Sequence, residues 1–128
     1  MKALTEHELW EKVKGLQGRT IYTIQRRIPN TVSQVTATEV RLLKDTGERR
    51  PSTPRRSDIV NTYYYSVRYG RVTGKDFDKI PESRYWGFVG RAILAILRDA
   101  IPEQIEEFHR GLSEPLSGIR LKANQGCR

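Results

Sequence analysis

Apolar spacing changes twice along this chain, and those two changes narrow the choice of fold class. Up to Gly18 the apolar residues recur at helical intervals, with Leu9, Val13 and Leu16 on one stripe and Trp10 beside them. Thr5-Glu6-His7-Glu8 in front of them has the form of a capping box, in which Thr5 accepts from the backbone three residues on and Glu8 reaches back. A first helix is expected from about residue 6 to about residue 16, ended by Gly15 and Gly18.

From Arg19 the period shortens to two. TIYTI at 20–24, VSQVTAT at 32–38 and VRLL at 40–43 are rich in β-branched and aromatic residues. Pro29-Asn30 and Asp45-Thr46-Gly47 supply turn signals. The reading is a small antiparallel sheet of three strands with one wet face, which carries Tyr22, Arg26 or Arg27, and Arg41.

Beyond residue 52 the helical period returns. Thr53-Pro54 suits an N-cap followed by proline at the first helical position, and Ile59, Tyr63 and Val67 then share a stripe that Gly70 closes. Thr73-Gly74-Lys75-Asp76 opens a short helix with Phe77 and Ile80 as its apolar contacts. Ser83 caps a longer helix whose stripe is Val89, Ile93, Ile96 and Leu97, and Pro102 starts a last amphipathic segment with Ile105, Phe108 and Leu112. The expected fold is therefore α+β: an N-terminal helix, a small three-stranded antiparallel sheet, then three to four helices. It occupies a single domain at 1–121 with a frayed tail at 122–128. A basic sheet beside a helix–turn–helix would be winged-helix-like, with Arg84, Tyr85 and Arg91 near the start of the recognition helix.

Charge adds a class of partner. The 128 residues carry a net charge of +8, and residues 19–71 alone hold eleven basic against four acidic side chains. Arginine supplies 16 of the 23 cations, and its planar fork matches phosphate and base edges better than lysine does. The densest stretch is RRPSTPRR at 49–56, where Arg49, Arg50, Arg55 and Arg56 flank a helix start whose backbone donors also suit an anion. Arg26, Arg27, Arg68 and Arg71 extend the basic surface. Aromatics interleave with it: Tyr65, Arg68 and Tyr69 are left for the surface once Tyr63 and Val67 are assigned to the core, and Arg84 abuts Tyr85 and Trp86.

Catalytic and metal-site patterns are weak by comparison. His7 and His109 are the two histidines, and Glu106-Glu107-Phe108-His109 offers a lone Glu-x-x-His without the second copy a di-iron site needs. Asp76, Asp78 and Glu39 are explained by helix and strand ends, and no phosphate-cradling glycine loop or dinucleotide fingerprint occurs. Gly87 and Gly90, three apart, read as a close-packing surface of a helix. The single Cys127 cannot form an internal disulfide. No apolar run approaches the roughly 18 residues of a spanning helix, and the N-terminal stretch lacks a signal-peptide pattern, so the expected location is cytoplasmic, with no membrane partner and no cofactor.

The order LWEKVKGLQGRTIYT, a Val-rich hairpin, an arginine-rich turn, SDIVNTYYYSVRYGRVTGKDF and SRYWGFVGRAILAIL resembles small uncharacterised bacterial modules that occur alone or appended to restriction and defence proteins. The resemblance covers roughly residues 9–98 and rests on Leu16, Gly18, the Arg55–Ile59 helix start and the Tyr63 to Gly70 region. It implies a binding or accessory role on a mobile bacterial element, and no catalytic residue carries over.

The function expected from the sequence is non-catalytic nucleic-acid binding, DNA ahead of RNA. The contact set is Arg26, Arg27, Arg49, Arg50, Arg55, Arg56, Arg68, Arg71, Arg84 and Tyr85. The competing expectation is a protein-interaction module: a homo-oligomer, or a domain that docks on an acidic protein without any nucleic-acid partner.

Overall fold

A computed structural model of the chain describes residues 2–24, 26–44, 52–80, 88–112 and 115–122. The sequence-expected contacts Arg49, Arg50, Arg84 and Tyr85, like Trp86, Gly87 and Cys127, lie outside the described residues.

Helix α1 (Glu6–Lys14) opens on the expected capping box: the Glu8 amide donates to Thr5 Oγ1 over 3.1 Å and the Thr5 amide donates to Glu8 Oε1 over 2.9 Å. That second bond holds the Glu8 carboxyl below its ordinary range. Strands β1 (Thr20–Tyr22), β2 (Pro29–Val35) and β3 (Val40–Lys44) form the expected antiparallel sheet, in the order β1-β2-β3. Alternation is kept except at a bulge between Val32 and Gln34: Ile21, Val32 and Leu42 are buried, while Tyr22 and Arg41 face water. The turn, however, falls before Pro29 rather than on it. The Thr23 amide donates to the Ile28 carbonyl and the Ile28 amide donates to Thr23 Oγ1, both over 3.0 Å, and Arg27 takes a left-handed φ of 54° to close the loop. Pro29 is then tolerated as the first residue of its strand.

Residues 52–55 do not start a helix. Ser52 bridges to Leu42 and Arg55 to Glu39, the Val40 amide donates to the Pro54 carbonyl, and the segment lines the free edge of β3 as a short extended rail. The proline at 54 favours extended backbone at Thr53, which fits that rail. Helix α2 (Arg56–Tyr69) therefore begins two residues later than expected, with Arg55 as N-cap and no side-chain cap. Gly70 ends it at φ 86°, the left-handed position glycine favours.

The chain then departs from the sequence expectation. After α2 come a three-residue strand β4 (Arg71–Thr73), a 3-10 turn (Gly74–Asp78) and helix α3 (Phe88–Ala100). Instead of a further helix, strands β5 (Ile105–Phe108) and β6 (Gly118–Leu121) follow, and β4, β6 and β5 pair antiparallel as a second sheet in that order. Three or four helices after the first sheet, and the winged-helix-like arrangement built from them, are thus replaced, among the described residues, by two α-helices, one 3-10 turn and a second sheet. The cause is local. Ile105 and Phe108 are three apart, which reads as one helical stripe, but in a strand that spacing places them on opposite faces. Ile105 points into the core, while Phe108 covers Gly118 on the outer face under the Arg71 guanidinium, 4.3 Å from the ring centroid. Leu112, the third member of the supposed stripe, is fully exposed.

Both sheets pack on α3, which also touches α1, α2 and the 3-10 turn. Ala92 through Leu97 are all buried, so α3 is covered on every side rather than along the single stripe its spacing suggested. Gly90 allows that approach, since a Cβ there would lie 3.0 Å from the Phe77 ring. No helix among the described residues is long and apolar enough to cross a membrane.

Candidate nucleic-acid interface

Helix α2 has a fully buried face and a broadly open one. Ile59, Tyr63 and Ser66 are completely buried. On the other side Ser57, Asn61, Tyr64 and Arg68 follow at intervals of four, three and four residues, a stripe along the roughly 20 Å length of a 14-residue helix. Two concave regions lie along it and share Asn61.

The region at the helix N-terminus, about 410 Å³, is lined by Glu6, Thr38, Arg55, Arg56, Ser57 and Val60 as well as Asn61. Its two arginines already have carboxylate partners. Arg55 holds Asp58 through Nε–Oδ2 at 3.0 Å and Nη2–Oδ1 at 3.4 Å, and the Asp58 side chain is 1% exposed. Arg56 bonds Glu6 Oε2 at 2.8 Å and the Ala37 carbonyl at 3.2 Å, with its guanidinium 5.2 Å from the Trp10 ring centroid. These contacts fasten the start of α2 to itself, to α1 and to the loop between β2 and β3. An anion arriving here would compete with Glu6 and Asp58.

The region at the C-terminal half of α2 is larger, about 580 Å³, and is lined by Asn61, Tyr64, Tyr65, Arg68, Tyr69 and Lys79. Among the described residues neither cation has a carboxylate partner, and none of those that line the groove is a carboxylate. Two of the three tyrosines are fixed by their hydroxyls. Tyr64 Oη donates to the Leu4 carbonyl over 2.9 Å, and Tyr65 Oη donates to Asp76 Oδ1 over 3.0 Å. Asp76 is itself held by the Thr73 amide at 2.7 Å and by Thr73 Oγ1 at 3.1 Å, a second capping box that sets the 3-10 turn against α2. Burial and then the Asp76 carboxylate push the Tyr65 phenol above its ordinary range. Tyr69 projects furthest, at 59% exposed, with its ring 4.6 Å from that of Tyr65 and 5.4 Å from the Arg68 guanidinium.

The remaining sequence-expected contacts lie elsewhere. Arg27 sits in the loop between β1 and β2, bonded to Glu107 Oε1 of β5 at 3.0 Å, and Arg26 is exposed next to it. Arg71 stands on the outer face of the second sheet, in register with Arg120, which pairs with Glu106. The structure thus joins Arg68 with Tyr65 and Tyr69, puts Arg55 and Arg56 at the opposite end of α2, and gives Arg27 and Arg71 separate surroundings. Sequence reasoning passed over Lys79, Asn61 and the open face of Tyr64. The Tyr64–Arg68 and Tyr65–Tyr69 spacings of four were visible signals, whereas Lys79 reaches the groove through the reversal at Gly70 and the 3-10 turn, which the chain order does not announce.

Among the described residues no group of three or more His, Cys, Asp or Glu side chains is placed to hold a metal ion. Comparison with protein-family models, with curated proteins and with solved structures found no match.

Proposed function

We propose that this chain binds nucleic acid without catalysing a reaction on it, DNA ahead of RNA, and that the contact surface is the open face of α2 rather than the arginine cluster at its start. The observation that carries the reading is the groove in which Arg68 and Lys79 stand among Tyr64, Tyr65 and Tyr69, with no carboxylate among the described residues that line it. Arginine and lysine supply phosphate contacts, and exposed aromatic rings supply surface for bases. The overall charge of +8 adds a long-range attraction toward a polyanion. Arg55 and Arg56 act in this account chiefly as structural ties. An accessory role on a mobile bacterial element, as the sequence resemblance implies, is compatible with such a binding domain.

A titration of labelled oligonucleotide over a salt range tests the proposal. Binding should weaken as salt rises, and replacing Arg68 and Lys79 together by alanine should both reduce affinity and flatten the salt dependence. The rival, a protein-interaction module, predicts salt-independent indifference to nucleic acid together with a stable dimer or larger species by light scattering. Its best support is the exposed Tyr22 and Leu43 on the outer face of the first sheet.

A further inference from the structure

We infer that the α2 groove takes a single-stranded segment with unpaired bases, not a duplex. This inference rests on the nucleic-acid reading above and specifies the form of the ligand. Three features of the groove point the same way.

The first is what the tyrosines present. The hydroxyls of Tyr64 and Tyr65 are consumed by the Leu4 carbonyl and by Asp76, so what these side chains offer outward is ring rather than hydrogen-bonding edge. Tyr69 adds a ring that is 59% exposed. A base pair inside a duplex hides both faces of its bases in the stack and shows a protein only its groove edges and the phosphates. Exposed aromatic rings gain little from such a partner. An unpaired base offers its face to them directly, and stacking of this kind is tolerant of sequence because every base has one.

The second is the placement of charge. Arg68 lies over the Tyr69 ring at 5.4 Å from guanidinium to centroid, and Lys79 lines the same groove from the far side of the 3-10 turn. Cations alternating with rings within a single groove match the alternation of phosphate and base along one strand. A duplex would reach these two cations with its phosphates alone. Asp76, which holds the Tyr65 hydroxyl at this wall, is itself occupied by Thr73.

The third is length. Asn61 to Tyr69 spans eight residues of helix, about 12 Å. At a rise of roughly 3.4 Å per nucleotide or more along a strand, that accommodates about two or three nucleotides. The ledge is long enough to seat a dinucleotide step.

The test uses the full chain with two labelled probes, an oligothymidylate and a mixed-sequence duplex of the same length, read by fluorescence anisotropy at low salt. The expected result is that the oligothymidylate binds about tenfold more tightly than the duplex, the gain of roughly one stacked base. Tyr69→Ala should weaken oligothymidylate binding by more than it weakens duplex binding and so remove that preference, and Tyr69→Phe should retain it. Tyr69 is an exposed residue near the end of α2, so the variant is expected to fold, and unchanged far-ultraviolet circular dichroism verifies that. Duplex binding as tight as or tighter than single-strand binding, or an equal loss for both probes in Tyr69→Ala, overturns the single-strand inference and leaves nucleic-acid binding standing. Binding to neither probe overturns both.

Discussion

Tyr65 and Tyr69 stand one turn apart on α2 with ring centroids 4.6 Å apart and planes inclined by 45°, and only the first of them is tied down. The bond from Tyr65 Oη to Asp76 connects the helix to the 3-10 turn that carries Lys79, so one side of the groove is fixed relative to the other. The pair combines a held ring and a free one beside two cations.

An alkaline titration should expose this difference. Burial raises the phenols of Tyr63 and Tyr65, and Asp76 raises Tyr65 further, because both disfavour the phenolate. Their contribution to stability is complete below the ordinary tyrosine range and is lost as pH climbs through the raised values. Ultraviolet absorbance should therefore show Tyr63 and Tyr65 ionising last, with loss of the fold accompanying that phase. Asp76→Asn removes the neighbouring charge and should move the Tyr65 step downward.

Arg55→Ala should damage the fold rather than binding. It strips the guanidinium from the buried Asp58 carboxylate, and an uncompensated buried charge costs about 3 kcal/mol even where its lost partner was partly exposed. Urea denaturation should show a midpoint well below that of Arg56→Ala, whose loss of the Glu6 pair and the Trp10 contact costs about 1 kcal/mol. Equal midpoints for the two variants would contradict the structural role given to Arg55.

Gly118→Ala should destabilise the second sheet. A Cβ at this position collides with the Val72 carbonyl oxygen and lies 3.0 Å from the Phe108 ring, so backbone and ring must both move. The cost of such overpacking is about 2 kcal/mol. Thermal unfolding should register it, and a variant as stable as the parent would call the pairing of β6 between β4 and β5 into question.

Much of the first half of the fold can be read in the chain because its signals are local. Thr5 and Glu8 are three apart and bond each other, the β-branched runs at 20–43 alternate, and Gly70 ends α2 where the stripe stops. The second sheet is a different case. β4 is three residues long and β5 four, too short for a period to separate strand from helix, and Ile105 and Phe108 satisfy the helical spacing by coincidence. Phe108 is buried by Gly118, Arg71 and Arg120, partners that only the pairing of distant strands assembles.

The candidate site divides the same way. Arg68 and its tyrosines share one helix, so their spacing betrays a common face, and Asp58 stands three residues from Arg55, close enough in sequence to suggest the pair. Glu6 lies fifty positions from Arg56, and nothing along the chain announces that it neutralises half of the described end of the arginine cluster. Arg55 and Arg56, two of the four arginines in that cluster, thus sit in internal ion pairs, and Arg68 and Lys79 lie toward the other end of the helix.

The most direct measurement of the central claim is the salt dependence of binding, taken for the parent chain and for Arg68→Ala/Lys79→Ala with both single-stranded and duplex probes. The account predicts salt-sensitive binding by the parent to at least one probe, and a variant that binds more weakly with a slope of log affinity against log salt flattened by about 1.4 on single strands or about 1.8 on duplex, two phosphate contacts' worth. No salt-sensitive binding to either probe, or a variant whose affinity and slope equal those of the parent, would contradict it.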